Sequence, residues 1–381
     1  MILHDVVIYG SEKRQHIYIR QGRIEIISNS RTELDHLPDE PRLELDGAVV
    51  LPGFINSHDH LDFNLFPRLG NHIYSNYTEW ARDIHQQDAP VIKEVQKVPL
   101  HLRVQWGLYK NLLNGFTTVI NHGEQLVTDN NLVTVFQDCY SLHSPAFEKN
   151  WLWKLNNPLR NRKAFVMHIG EGADRLAQLE TQKVAKRNYL HRKMIAVHGV
   201  AMGVDEASSY AGLVWCPASN FFLLNKTADI ALLKGILPIV FGTDSTLTSS
   251  WFSEDHFTKA LDSSGVSETE LVEMMTKEAA ALWEFEDRGI VAEGMRADLI
   301  VKESTAGIFA SAGSEKLLVM HNGDIGIVAG KLKCQLPDIL ISNYERVGIR
   351  NKEYIVKAGI KKLVKDILAA YPAAEIPFEL Y

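Results

Sequence analysis

Five cation-binding side chains, His58, His60, His168, His198 and Asp244, stand at or just past the ends of short apolar runs that read as β-strands. Those runs are VVLPGFINSHDHLD, KAFVMHIGEG, MIAVHGVAM and LPIVFGTDS. A fold that brings the ends of successive strands together gathers imidazoles and a carboxylate, donors that suit a Zn²⁺-like ion with one position kept for water. Water held there ionises near neutral pH and becomes a nucleophile. The pattern predicts a metal-dependent hydrolase.

The rest of the chain is arranged to permit that convergence. From Leu51 to Ala280, strand-like runs (TTVIN, AFVMHIG, MIAVHG, GLVWCP, PIVFGTD) alternate with amphipathic stretches such as RLAQLETQKVAKRNYLHRK and SETELVEMMTKEAAALWEF. Alternating strand and helix argues for a parallel sheet. Chemistry-bearing residues at the carboxyl ends of many strands favour a (β/α)₈ barrel, where those ends share one face. Residues 1–50 read instead as short strands with no helix between them (HDVVIYG, QHIYIRQGRIEIIS, LELDGAVVLPGF), and strands return after Trp283 in GIVAEGMRADLIVKE and KLLVMHNGDIGIVAGK. We expect an α/β protein: a TIM-like metal-dependent hydrolase barrel over 51–285, and a small composite β-sandwich built from 1–50 and 286–381. The sandwich ends in a packing helix over Asn351–Tyr371, where apolar residues recur at helical spacing.

Taken in order, LPGFINSHDHLD, HIGEG, VHG, CPASNFFLL, FGTDS and GIVAEGMRADLIV resemble the amidohydrolase superfamily, in its branch of cytosine deaminase, guanine deaminase and the s-triazine and atrazine hydrolases. The likeness runs over nearly the whole chain and is strongest from Ala164 to Val301. It implies that His58, His60, His168 and Asp244 bind one divalent ion, zinc before iron. It further implies that Glu171 is the acid/base of a His-x-x-Glu motif, that His198 touches the hydrolytic water or the substrate, and that Asp244 also takes the water's proton. Dinuclear branches use a carboxylated lysine on the fourth strand. Here Lys154 and Lys163 fall in a polar, loop-like stretch, which speaks for a mononuclear site. The stretch Gly123–Lys163 is short for the third and fourth strand–helix units, so the barrel is expected to be trimmed there. Gly170 and Gly172 in HIGEG are expected to leave that loop unusual room.

The chemistry of the residues is consistent with this. His58 and His60 are two apart, so on a strand both face the same way while Asp59 faces the other and is structural. Replacing an amino group on an amidine-like carbon requires a proton on the ring nitrogen and another on the departing ammonia, work suited to a carboxyl such as Glu171 with its pKa near the working pH. Asn220 and Ser245 are candidates for hydrogen bonds to first ligands, with plain structural roles equally open. His122 ends the second strand-like run, in reach of the pocket or in the core. Phe63, Phe66, Tyr77 and Trp80 follow the first ligand pair in a long excursion that either roofs the site or packs.

Composition narrows the partners to a small-molecule substrate, with a homo-oligomer left open. A net charge of −7 over 381 residues argues against nucleic acid. The densest basic run, RNYLHRK at 187–193, reads as a solvated helix face. Three scattered cysteines form no disulfide framework and fit a reducing cytoplasm, with Cys216 a buried small hydrophobe. The start of the chain does not read as a signal peptide, and no run is long enough to span a bilayer. The leading expectation is an aminohydrolase of a small nitrogen heterocycle. Its rivals are a hydrolase of a cyclic amide or another leaving group, and a catalytically silent scaffold.

Overall fold

A computed structural model describes residues 1–37, 40–128, 130–303, 307–309 and 315–381. The alternating middle of the chain forms two parallel sheets. One carries Phe54–Asp59, Phe116–Asn121 and Thr134–Phe136. The other runs Ile239–Phe241, Gly212–Trp215, Met194–His198, Phe165–Ile169, Tyr140–Leu142. In Phe54–Asp59, Phe116–Asn121, Phe165–Ile169 and Met194–His198 every residue is buried, because both faces of a parallel sheet are covered. Past the last strand, Thr243 N donates to Asn56 Oδ1 at 3.0 Å and Asp244 N to His58 O at 3.0 Å, which joins the two sheets at one seam. Each strand neighbours the next in sequence, a barrel-like order.

At the other seam, only residues 137–139 separate Thr134–Phe136 from Tyr140–Leu142, each three residues long. No helix lies between them, which is the shortening that the length of this stretch predicts.

Both chain ends build a single ten-stranded sheet. The two halves meet where Leu299–Lys302 runs antiparallel to Arg42–Pro52, with Leu299 opposite Pro52 and Lys302 opposite Val49. The expectation was a sandwich. Instead, hydrogen bonding is continuous from Arg23–Ser28 to Glu379–Leu380, because Arg42–Pro52 pairs on both edges. A short helix, Thr32–Asp35, also interrupts the N-terminal strands.

Three further expectations need correction. Residues 352–357 of the supposed terminal helix form a strand between Tyr344–Ile349 and Asp324–Ala329, and the helix is Ile360–Ala370. Gly359, at φ +118°, makes the break that an L side chain would resist. The run RNYLHRK is a turn that follows the helix Arg175–Lys186. Asn188 brackets Arg192 with two hydrogen bonds of 2.8 Å, and the Arg192 guanidinium caps the carbonyls of Asn157, Arg160 and Asn161. Gly170 and Gly172 give closeness, not room. A Cβ on Gly170 would meet Thr181 Cγ2 at 2.6 Å, and one on Gly172 would meet Ala177 and Asn76 Cβ at 2.7 Å. No helix among the described residues is long and apolar enough to cross a membrane.

The terminal helix buries Ile360, Leu363, Val364 and Ile367 in the core of the ten-stranded sheet. Tyr109, on the helix Leu100–Leu113, donates its hydroxyl to Ala358 O at 2.9 Å just before that helix begins. We expect Ile367→Ala to lower the unfolding free energy by about 2–5 kcal/mol. Truncating the exposed Leu176 should change it by no more than about 0.5 kcal/mol. Denaturant melts of the two variants check this, and equal effects would mean that the helix is not docked.

Candidate active site

All five residues of the sequence pattern meet at the strand ends, and all are buried. His58 lies in Phe54–Asp59 and His60 just beyond it, with their rings 4.9 Å apart. His58 Nε2 faces His168 Nε2 at 3.3 Å. Asp244 Oδ1 lies 3.9 Å from His58 Nε2 and 3.8 Å from His60 Nε2. Glu171 Oε2 stands 3.6 Å from His198 Nε2. Three overlapping sets, His58/His60/His168, His58/His198/Asp244 and His168/Glu171/His198, each hold their ligand atoms within 4.8 Å of one another.

The electrostatics match a ligand set. Burial, reinforced by the neighbouring imidazoles, pushes His58 and His168 well below the usual histidine range, so both are neutral and offer lone pairs. Burial acts against the charge on Asp244. Even so, its pKa is lowered, by His198, by His60 and by hydrogen bonds from Ser219 Oγ (2.7 Å) and Ser245 N (2.7 Å). Glu171 goes the opposite way. Burial first, then the charges of Asp244 and Glu180, raise it well above the ordinary carboxylate value. Two carboxyls in one site are thus pushed in opposite directions, the arrangement that separates an acid from a base.

Two of these residues adopt the left-handed backbone region that L residues avoid, His198 at φ 73° and Asp244 at φ 55°. Strain of this kind collects at functional sites. Asn220 accepts a hydrogen bond of 2.9 Å from His198 Nδ1, while its own amide nitrogen donates to Thr227 Oγ1 at 3.2 Å. With the proton on Nδ1, Nε2 presents a lone pair towards Glu171. Ser245 contributes its backbone N–H to Asp244, and Asn220 fixes the His198 tautomer. His122 is buried with its ring stacked 4.5 Å from that of His168, both of its nitrogens lack partners, and it stays outside the cavity lining. The lysines considered for a second metal are engaged elsewhere, Lys154 with Glu148 and Lys163 with Asp138.

Sequence reasoning missed the layer behind the ligands. Ser219 and Thr248 both hydrogen-bond to Asp244 Oδ2. Lys110, on Leu100–Leu113, is 2% exposed. Its Nζ donates to Asn64 Oδ1 at 2.7 Å and to the Asp244 carbonyl at 3.0 Å, and lies 3.4 Å from Asp59 Oδ2. Asp59, facing away from its histidine neighbours as alternation requires, also accepts from Asn111 and Asn64 at 2.7 and 2.8 Å. His143, just past Tyr140–Leu142, lines the cavity with its ring 5.3 Å from that of His168. Its place at a strand end was the available signal.

A cavity of ≈ 560 Å³ opens onto the cluster. Phe63, Phe66, Tyr77 and Trp80 all line it, so the excursion after the first ligands does form a wall.

Comparison with known proteins agrees with the motifs. Residues 148–332, which hold His168, Glu171, His198 and Asp244, match the amidohydrolase family. A 5-methylthioadenosine/S-adenosylhomocysteine deaminase of Thermococcus sibiricus is 22% identical over 369 residues, covering 79% of this chain and 84% of the relative. The fold is similar to that of the zinc-complexed atrazine chlorohydrolase of Arthrobacter aurescens (TM-score 0.67, 14% identity, covering 97% of this chain and 100% of the other). It is also similar to that of 5-methylcytosine deaminase from Klebsiella pneumoniae (TM-score 0.63, 15% identity, 85% and 97% covered). These likenesses support a TIM-barrel-like fold with a second domain, and over residues 148–332 the chain is similar to the amidohydrolase family.

Proposed function

We propose that this protein is a metal-dependent aminohydrolase that removes an amino group from a small nitrogen heterocycle. The observation that carries the reading is a pair of buried carboxyls at one cluster of imidazoles, with Asp244 Oδ1 within 3.9 Å of His58 and His60 Nε2 and its pKa drawn down, and Glu171 Oε2 3.6 Å from His198 Nε2 and its pKa pushed up. The closed (β/α)₈ form of the barrel over 51–285, its division from the flanking ends, and a cytoplasmic setting belong to the same proposal.

The donor set fits a divalent ion on its own terms. His58 Nε2 and His168 Nε2 face one another at 3.3 Å, both imidazoles neutral, and a carboxylate oxygen stands beside His58 and His60. His58, His60, His168 and Asp244 would hold it, and zinc is the first choice for nitrogen and oxygen donors in a compact site. Bound there, the ion supplies Lewis acidity that brings the ionisation of water close to neutral pH. The remaining work falls to the chain. Asp244, ionised and held by Ser219 and Thr248, accepts the proton that water loses on adding to the amino-bearing carbon. Glu171 delivers its proton to the adjacent ring nitrogen, which receives the electron pair of the C=N bond. His198, fixed by Asn220, keeps Nε2 as an acceptor beside Glu171 and orients that exchange. When the proton on Asp244 passes to the amino group, ammonia departs, the carbonyl forms, and the proton of the added hydroxyl returns to the Glu171 carboxylate, which restores both carboxyls to their starting states. Each transfer stays within the buried cluster, where fixed dipoles act strongly.

Glu171→Gln should lower kcat for ammonia release by about two to four orders of magnitude with bound metal unchanged. A screen of amino-purines, pyrimidines, pterins and triazines supplies the substrate, with cyclic ureas beside them. A ring-opened product without ammonia would favour the cyclic-amide rival. Protein expressed with ample zinc should retain about one equivalent per chain, and His168→Ala should lose it. Less than about half an equivalent in the wild type would favour the silent scaffold.

Lys110 generates a separate expectation. Lys110→Met strands the Asp59 carboxylate without its cation, so stability should fall by about 3–5 kcal/mol, and exchanging Asp59 for Leu in the same chain should recover most of it. Denaturant melts of the three variants measure this. Additive losses would show that the two groups are not coupled.

A further inference from the structure

We infer that the substrate is a planar nitrogen heterocycle bearing an extended apolar substituent, not a bare base or a glycoside. The inference rests on reading the His/Asp cluster as the reacting centre and adds what the rest of the cavity selects. At ≈ 560 Å³ the cavity falls in the range that holds drug-sized ligands, so a single small ring leaves much of it unfilled. Phe63, Phe66, Trp80, Ile84, Ile92 and Leu247 line it beyond the cluster. Phe63 begins this surface at the metal end, its ring stacked on His60 at 5.4 Å, and Phe66 continues it edge-on at 5.8 Å.

Along the aromatic part of this wall the polar atoms are already committed to the protein. Trp80 Nε1 donates to Leu69 O at 2.8 Å, and the Tyr77 hydroxyl donates to Glu180 at 2.8 Å. Thr78 Oγ1 donates to Asn76 Oδ1 at 2.6 Å, and Thr248 Oγ1 to Asp244 Oδ2 at 3.0 Å. The aromatic residues therefore offer ring faces and edges to a ligand. Among the lining residues the only carboxyls are Glu171 and Asp244, both in the cluster, so no acidic acceptor waits along the wall for a ribose diol. Hydroxyls placed against the aromatic stretch would lose water without finding partners there. At the mouth, Arg82, His85 and Gln96 are exposed, with no side-chain hydrogen bond or ion pair among the described residues. A polar or anionic end to the substituent is tolerated there, beyond the apolar stretch.

The test uses zinc-loaded protein and a homologous series of alkylamino-diamino-s-triazines, from amino through ethyl to butyl, with adenosine as the diol-bearing comparison. Calorimetric Kd and ammonia release are measured for each. Affinity should tighten by about fourfold per added methylene, the gain from burying one CH₂, and the butyl compound should bind at least about tenfold more tightly than adenosine. Ile92→Asn, at a half-buried position near the mouth, should flatten the chain-length dependence. Equal affinity across the series, or tighter binding of adenosine, overturns the inference. If the chain-length dependence holds while no ammonia appears, the aminohydrolase reading fails and the pocket assignment stands. If ammonia is released from the bare base as readily as from the butyl compound and affinity does not vary, the pocket assignment fails alone.

Discussion

The active end of this protein is organised around one buried ammonium group. Lys110 Nζ touches three segments that the sequence keeps far apart: Asn64 in the turn after the first ligands, Asp59 between them, and the backbone carbonyl of Asp244. Burial draws its pKa down while Asp59 holds it up. An isolated charge there would be untenable, and the pair persists because Asp59 is saturated by Asn111 and Asn64 and the ammonium has oxygen on several sides. The consequence is geometric. Asp244 sits at a seam between two sheets, where strand pairing alone gives it one backbone bond, to His58 O. The ammonium beneath it supplies a second anchor and ties the carboxylate-bearing turn to the histidine-bearing strand.

Asp244 and His198 need anchors because their backbones are strained. Each holds a left-handed conformation that costs an L residue about 1–2 kcal/mol. The surrounding bonds offset this cost: Ser219 and Thr248 on the Asp244 carboxylate, Asn220 on the His198 ring. Without them, relaxation of either backbone would turn its side chain out of the cluster. The glycines of HIGEG serve the same end from the other side. By allowing Thr181, Ala177 and Asn76 to approach within a Cβ contact, they pin the loop carrying Glu171 against the helix behind it.

How much of this could be read beforehand follows from what each residue does. His58, His60, His168, His198, Asp244 and Glu171 were legible because imidazoles and carboxylates at the ends of apolar strands have few other uses. Alternation on a strand also oriented Asp59 correctly. The helices were legible as periodic stretches, though not their ends: RNYLHRK continues a helical composition, and only Asn188 folding onto Arg192 makes it a turn. The terminal stretch misled for a related reason, since β-branched residues before Gly359 fit either period until sheet partners decide. Ser219, Thr248 and Lys110 were not legible at all. They are common residues on helices and loops, and they acquire meaning only when folding puts Asp244 against them.

The two layers of the site answer to different parts of the chain, and this bears on how function can diverge within such a fold. The His/Asp cluster comes from strand ends fixed by the barrel-like sheets, so its geometry is tied to the core. The apolar wall comes largely from residues 63–92, an excursion tied to the strand-end loops by hydrogen bonds that include Asn76 to Asp174 at 2.6 Å, Tyr77 to Glu180 at 2.8 Å and Tyr77 N to Glu171 O at 3.0 Å. Changing the part of that segment beyond Phe63 and Tyr77 alters what fits while the strand-end cluster keeps its contacts, the division expected when function sits on loops over a rigid scaffold. A relative can therefore keep the whole metal cluster and share little of the wall. For this chain the stretch from Phe63 to Ile92 presents mainly aromatic and aliphatic surface, with the Trp80, Tyr77 and Thr78 polar atoms turned to the protein.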